Sequence, residues 1–270
     1  MAKTLDFFSV TSPVHSSTAA RLDEILMADD VSESLWASID SGEMDDLVPE
    51  LALLRMEQDP IHRHKDVLAH TVAVVGKTPQ DRLVRLAALF HDIAKPKTRS
   101  FEHGGVTFRH HEVVGSRMTR TRMQELGYEE EAVEAVAELV RLSGRFKGYA
   151  DGWSDAAVRR YARDAGPLLG RLNALIRSDC TTRNQTKADA LQQSIDELEE
   201  RISDLAEADR RNAERPQLDG QAVMDHLGIE PGPAVGRALR WLLELKRVEG
   251  HLDDDELFLR LDTYWAETYG

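Results

Sequence analysis

The 270-residue chain has a formal net charge of −14, with 41% hydrophobic and 30% charged residues; this excludes a disordered chain and leaves enough apolar material for one large domain or two small ones. No stretch of about 18 apolar residues is present, which excludes a membrane-spanning helix, and the opening MAKTLDFFSV lacks the apolar core of a signal peptide. The single cysteine, Cys180, excludes an internal disulfide and a four-cysteine zinc site and suits a reducing cytoplasm, so a metal here must be held by histidine and carboxylate.

The pattern predicts an all-α chain. Residues 1–20, with Ser, Thr and Pro, read as a loose leader, and 21–60 as short neck-like helices built on Leu22, Ile25 and Leu26 and then on Leu47, Leu51 and Leu54. A central unit over 61–187 follows Pro60. In it Val67, His70, Val74 and Val75 share one helical face, and DRLVRLAALFHDIAK forms the next helix, stopping at Pro96. Two short runs around His103-Gly104-Gly105 predict a small β-hairpin, with His103 at its solvent-facing tip. Further helices are expected in HHEVVGSRMTRTRMQEL, EEAVEAVAELVRL, SDAAVRRYARDAG and LLGRLNALIRSD. Residues 188–270 read as a C-terminal helical body. Ala188, Leu191, Ile195, Leu198, Ile202 and Leu205 repeat at threes and fours, enough for an antiparallel helix pair, and RPQLDG leads into a terminal unit.

The charge is uneven. Residues 21–60 set Arg21 and Arg55 against twelve acids, whereas 93–122 carry seven basic groups against Glu102 and Glu112, and 141–189 carry ten against five aspartates. Basic patches within an acidic chain can take a phosphate-bearing ligand; solvated, salt-bridged helix faces explain them equally well.

Seven of the ten histidines fall between His62 and His111. His91 and Asp92, in LFHDIAKPK, point about 100° apart on a helix, so one ion can use both only at the seam between them, with further ligands from other helices. His70, on an apolar face, and Asp179, the sole acid ending LLGRLNALIRSD, are the candidates. Two histidines and two aspartates make a borderline-hard site for one divalent ion, with positions left for water. Singly, each has an ordinary explanation as a satisfied core histidine or a helix cap. Asp66, four residues before His70, is placed to orient that imidazole or else to cap the helix. His62 and His64 read as surface residues, and only one of His110 and His111 can face the site.

His70, His91-Asp92 and Asp179 together resemble the H…HD…D signature of the HD superfamily of metal-dependent phosphohydrolases. HRHKDVLAHT, RLAALFHDIAKPKTR, GGVTFRHHEVVG, AVRRYARDAGPLL, DCTTRN and LDGQAVMDHLGIEPGPAVG resemble, in order, the C-terminal part of bacterial CCA-adding tRNA nucleotidyltransferases that carry an HD domain, from about Arg21 to Trp265. The resemblance implies an HD-domain helical bundle over 61–187 with the hairpin inserted in it. It implies one divalent ion (Mn, Ni, Co, Fe, Zn or Mg) on His70, His91, Asp92 and Asp179. Asp92 would also accept the proton of an attacking water, Lys95 would meet the phosphoryl charge, and His111 would hold a second metal or protonate the leaving oxygen. Ala94 replaces the family's glycine, and Ser143, Lys147 and Arg109 stand where histidines are frequent, so one metal is expected rather than two.

The implied function is hydrolysis of nucleotide or RNA-end phosphoesters, as a phosphatase or phosphodiesterase, with a phosphorylated small molecule or RNA as partner. Arg145, Lys147, Arg159, Arg160, Arg163 and Arg183, beside Phe146, Tyr149, Trp153 and Tyr161, would hold RNA phosphates and bases. The other reading is a tRNA-binding module serving a separate nucleotidyltransferase subunit. The Gly-Ser and paired-carboxylate motif of a nucleotidyltransferase head does not occur in the leader, so nucleotide addition is not expected of this chain alone.

Overall fold

The structure, a computed structural model, describes residues 18–56, 66–102 and 105–270. His62, His64, His103 and most of the expected leader therefore lie outside the described residues. Two compact units divide the chain, residues 1–202 and 203–270.

In the first unit, α1 (Thr18–Leu26), α2 (Val31–Asp40) and α3 (Glu43–Leu47) precede a 3-10 turn, Pro49–Leu54. Then come α4 (Val67–Lys77), α5 (Arg82–Phe90), α6 (Lys95–Thr98), strands β1 (Ser100–Glu102) and β2 (Gly105–Thr107), α7 (His111–Leu126) and α8 (Glu130–Leu142). The 3-10 segment Arg145–Asp151, α9 (Asp155–Ala165) and α10 (Leu169–Asp179) follow, and then α11 (Gln185–Ala213), whose last residues belong to the second unit. The expected hairpin is present: β1 and β2 pair antiparallel, Phe101 opposite Val106. Among the described residues no helix is long and apolar enough to cross a membrane.

Side-chain caps start several of these helices. The Asp81 carboxylate accepts from the amides of Leu83 and Val84 at 3.0 and 3.1 Å, and Ser154 accepts from Ala157; such a cap stabilises a helix by about 1 kcal/mol. The start so set puts a buried run, Val84 to Phe90, through the middle of the unit. Helices α4, α8 and α10 surround α5, which explains why it is apolar on nearly every face. At Gly127 the backbone turns left-handed (φ +85°) and folds α8 back along α7.

One local expectation is corrected. His91 and Asp92 are not consecutive positions on a helix. Helix α5 ends at Phe90, and residues 91–94 form a buried turn into α6. Ile93 and Ala94 are buried there by neighbouring helices, so the apolar pattern runs on past the helix end.

Helix α11 lies along α10. Arg177 reaches Asp196 and Glu199 at 2.6 and 2.8 Å, and Asn173 donates to Glu199 at 2.8 Å, with Ile195 and Leu198 buried. This is the antiparallel pair that the spacing from Ala188 onward predicts. The second unit has its own core, in which α12 (Gly220–Leu227), α13 (Pro233–Glu249) and α14 (Asp254–Tyr269) bury Val223, Leu242, Leu257 and Leu261.

Candidate metal centre

Three separate elements aim polar groups at one point. His70 comes from the middle of α4, His91 and Asp92 from the turn after α5, and Asp179 from the last position of α10. His70 Nε2 lies 3.0 Å from Asp179 Oδ1 and 3.6 Å from Asp92 Oδ2. His91 Nε2 lies 3.3 Å from Asp92 Oδ2 and 3.6 Å from Asp179 Oδ1. Both imidazoles and Asp92 are nearly inaccessible, while Asp179 is about half exposed. A divalent ion with bonds of about 2.1 Å holds its donors about 3.0 Å apart at octahedral angles and about 3.4 Å at tetrahedral ones. The spacings observed are of that size.

The tautomer of His91 follows from its partner. Its Nδ1 is 2.7 Å from the Ala88 carbonyl oxygen, which can only accept, so Nδ1 carries the hydrogen and donates. The buried Nε2 then has no hydrogen-bond partner among the described residues. A ring nitrogen left unpartnered between two carboxylates holds a proton in the metal-free chain and can exchange it for a cation, and on this observation the donor set fits a divalent metal. His111 is fixed in the same way, with Nδ1 donating to the Phe108 carbonyl at 2.7 Å and Nε2 3.7 Å from Asp92 Oδ1.

The charges respond to this crowding. Burial opposes ionisation of Asp92, yet His91 and Lys95 outweigh it and hold the carboxyl well below the usual carboxylate range. Asp179 is likewise held low, burial being outweighed by His70 and His91. Burial works against a charged His91 too, but the Asp92 and Asp179 carboxylates win and push it up to about 10. Burial leads in the other direction at His111, whose ring is pushed down. The buried Lys95 donates from Nζ to Asp92 Oδ2 at 2.7 Å and sits over the Phe108 ring. Asp92 thus joins the imidazoles to an ammonium group.

These groups border a cavity of about 380 Å³ that also reaches Ser143, Gly144, Lys147 and Cys180 to Thr182. Of the six basic residues proposed from sequence to hold RNA, only Lys147 lines it. Arg145 and Arg163 are directed to Asp164, at 3.1 and 3.9 Å. Arg159 and Arg160 lie on α9, and Arg183 is exposed beyond α10.

Of the two roles open to Asp66, the structure shows the helix cap and not the orientation of His70. Its carboxylate caps α4, accepting from the amides of Leu68 at 3.0 Å and Met56 at 3.2 Å. Thr181 instead meets His70, Oγ1 to Nδ1 at 2.9 Å. Thr181 sits in DCTTRN, two residues after Asp179, and nothing local to that segment signals a partner on α4. Glu112 was also missed. It touches His111 Nδ1 at 3.3 Å and Lys147 Nζ at 3.3 Å, and its carboxylate occupies the space a side chain at Gly144 would need. Its place directly after His111 was the available signal.

Residues 65–214 match the HD domain family. The chain is similar to the CC-adding tRNA nucleotidyltransferase of Thermus thermophilus, 35% identical over 81% of this chain and 49% of that protein. It is also similar to the A-adding tRNA nucleotidyltransferase of Deinococcus radiodurans, 29% identical over 94% of this chain and 59% of that protein. The chain therefore spans about half the length of these curated relatives.

Proposed function

Because the chain belongs to the HD domain family, we propose that it is a metal-dependent phosphohydrolase acting on nucleotide or RNA-end phosphoesters. The observation that carries this reading is the buried, unpartnered Nε2 of His91 between Asp92 and Asp179, at the wall of an open cavity. A divalent ion held by His70, His91, Asp92 and Asp179 would supply Lewis acidity and a water that ionises near neutral pH.

The protein's own groups have the following parts. Asp92, kept ionised by His91 and Lys95, would bind the ion and orient the attacking water by accepting its hydrogen bond. The ammonium groups of Lys95 and Lys147 face the cavity and draw the non-bridging phosphoryl oxygens. His111, neutral and with its hydrogen committed to Phe108, offers a lone pair from Nε2 and so serves as an acceptor rather than an acid.

The test is metal analysis of the purified protein, then assays with Mn²⁺, Ni²⁺, Co²⁺ or Mg²⁺ on nucleoside monophosphates, cyclic nucleotides and an RNA 3′-phosphate. Metal-dependent release of phosphate or opening of a cyclic ester is expected. No turnover of any of the three with any ion would sink the reading.

A second reading is favoured by the relatives, both tRNA nucleotidyltransferases by name and similar over most of this chain. On it the chain holds tRNA, alongside a nucleotidyltransferase subunit. Binding of tRNA that weakens steeply between two salt concentrations is its expected mark, and salt-insensitive or absent binding counts against it.

A further inference from the structure

A second cavity, of about 390 Å³, adjoins the candidate metal centre. Ser143, Lys147, Asp179 and Cys180 line both, so the two cavities lie on either side of the same four residues. The linings differ in kind. The first is ringed by imidazoles, carboxylates and ammonium groups. Beyond the shared residues, the second offers Phe146, Ala150, Ile176, Ala190, Leu191 and Ser194, none of them ionisable.

Its hydroxyls are already engaged. Ser194 donates to the Ala190 carbonyl and Ser143 to the Val140 carbonyl, both at 2.9 Å. The Phe146 ring is held in place by Tyr149, stacked at 5.3 Å between centroids, and by the edge of Trp153 at 6.4 Å. The cavity thus presents a fixed aromatic ring and aliphatic side chains, and apart from Lys147 and Cys180, shared with the metal side, its side chains leave no donor to read a ligand's edge.

We infer that this second cavity is the leaving-group pocket of the site, taking an uncharged flat ring of nucleobase size and holding it by contact without distinguishing one base from another. The inference rests on the phosphohydrolase reading and names its substrate class. Other leaving groups fit less well. A polyol would give up its water hydrogen bonds against Phe146, Ile176 and Leu191 with no replacement donors. A charged group would be desolvated without a counter-ion beyond Lys147 and Asp179, which belong to the phosphoryl side. A ring gains contact with Phe146 and loses little. Ala190, Leu191 and Ser194 come from α11, which carries none of the proposed metal ligands, so this wall can be altered without touching them.

Phenylphosphonate and methylphosphonate test the pocket, because they share the phosphonate, differ in the ring, and contain a P–C bond the proposed hydrolysis does not cleave. Calorimetry on the full chain with Mn²⁺ should show the phenyl compound binding about tenfold tighter, the low end of what a ring on an aromatic side chain contributes. Leu191→Gln and Ala190→Trp should each erase that preference while leaving methylphosphonate binding and the melting temperature near the parent's. Ala190 is exposed, so its replacement keeps the test valid if Leu191→Gln loosens the fold. Equal binding of the two phosphonates by the parent, or equal loss of both in the variants, overturns the pocket. Absence of binding by either overturns the phosphoester reading and the pocket with it. Ring-selective binding without hydrolysis of any phosphoester keeps the pocket and removes only the catalytic reading.

Discussion

His91 Nε2 lies 3.3 Å from Asp92 Oδ2, yet among the described residues it makes no hydrogen bond, although it is buried. With Nδ1 donating to Ala88, Nε2 faces Asp92 and Asp179 and can be satisfied there by a proton or by a cation. Divalent metal should therefore bind the folded chain and stabilise it, by about 2.7 kcal/mol at a concentration a hundredfold above Kd. Thermal melts with Mn²⁺ and with a chelator check this. The parent's melting temperature should rise with metal, and that of His91→Ala should stay put. A parent that melts identically with metal and with chelator would falsify the assignment.

The orientation of His70 depends on Thr181 rather than on Asp66. Thr181→Val removes the 2.9 Å contact to Nδ1 and should weaken metal binding at least about tenfold, the usual scale for losing a group that orients a ligand. Asp66→Ala removes the cap of α4 and should cost about 1 kcal/mol in stability with metal affinity nearly unchanged. Metal titration and urea unfolding of both variants separate the two effects. The reverse pattern would return Asp66 to the centre.

What could be read in the sequence follows from which interactions are local. His70, His91-Asp92 and Asp179 stood out because chemistry-bearing side chains interrupted apolar runs, and the structure brings them together. The helix end at Phe90 was hidden, because Ile93 and Ala94 are apolar for tertiary reasons. Spacing alone could not choose between the two roles of Asp66, because spacing by four presumes a helix that includes it. Its backbone is extended (φ −62°, ψ 134°), which turns the carboxylate onto its own helix's amides. Thr181 meets His70 across 111 residues, a separation no local pattern encodes. Likewise, the pairing of Arg145 with Asp164 at 3.1 Å is made only when folding sets the 3-10 segment against α9.

Gly144 keeps Glu112 in reach of both His111 and Lys147. A Cβ at 144 would collide with Glu112 Oε1, so the carboxylate must swing away in Gly144→Ala. The displaced group is the flexible end of a side chain, and stability should change by less than about 1 kcal/mol. Lys147 loses its 3.3 Å partner, however, and with it a fixed place at the cavity wall. KM for a phosphoester should rise several-fold more than kcat falls. A variant with parental KM would show that Glu112 has no part in holding Lys147.

Asp92 and Lys95 should be coupled in stability as well as in chemistry. The pair is buried at 2.7 Å, with side-chain exposures of 3% and 8%. Asp92→Ala removes the carboxylate and strands the ammonium, an error that costs about 3 kcal/mol in comparable buried pairs. Loss of activity in that variant is therefore ambiguous by itself, because unfolding would produce it too. Lys95→Met in the same chain removes the stranded charge and keeps the apolar contact with Phe108. The double variant should recover most of the lost stability in metal-free buffer while remaining unable to bind metal or hydrolyse a phosphoester. Recovery of fold without activity assigns Asp92 to the chemistry. Recovery of both would mean that Asp92 serves only to neutralise Lys95, and independent, additive losses in a double-mutant cycle would mean that the two groups do not interact.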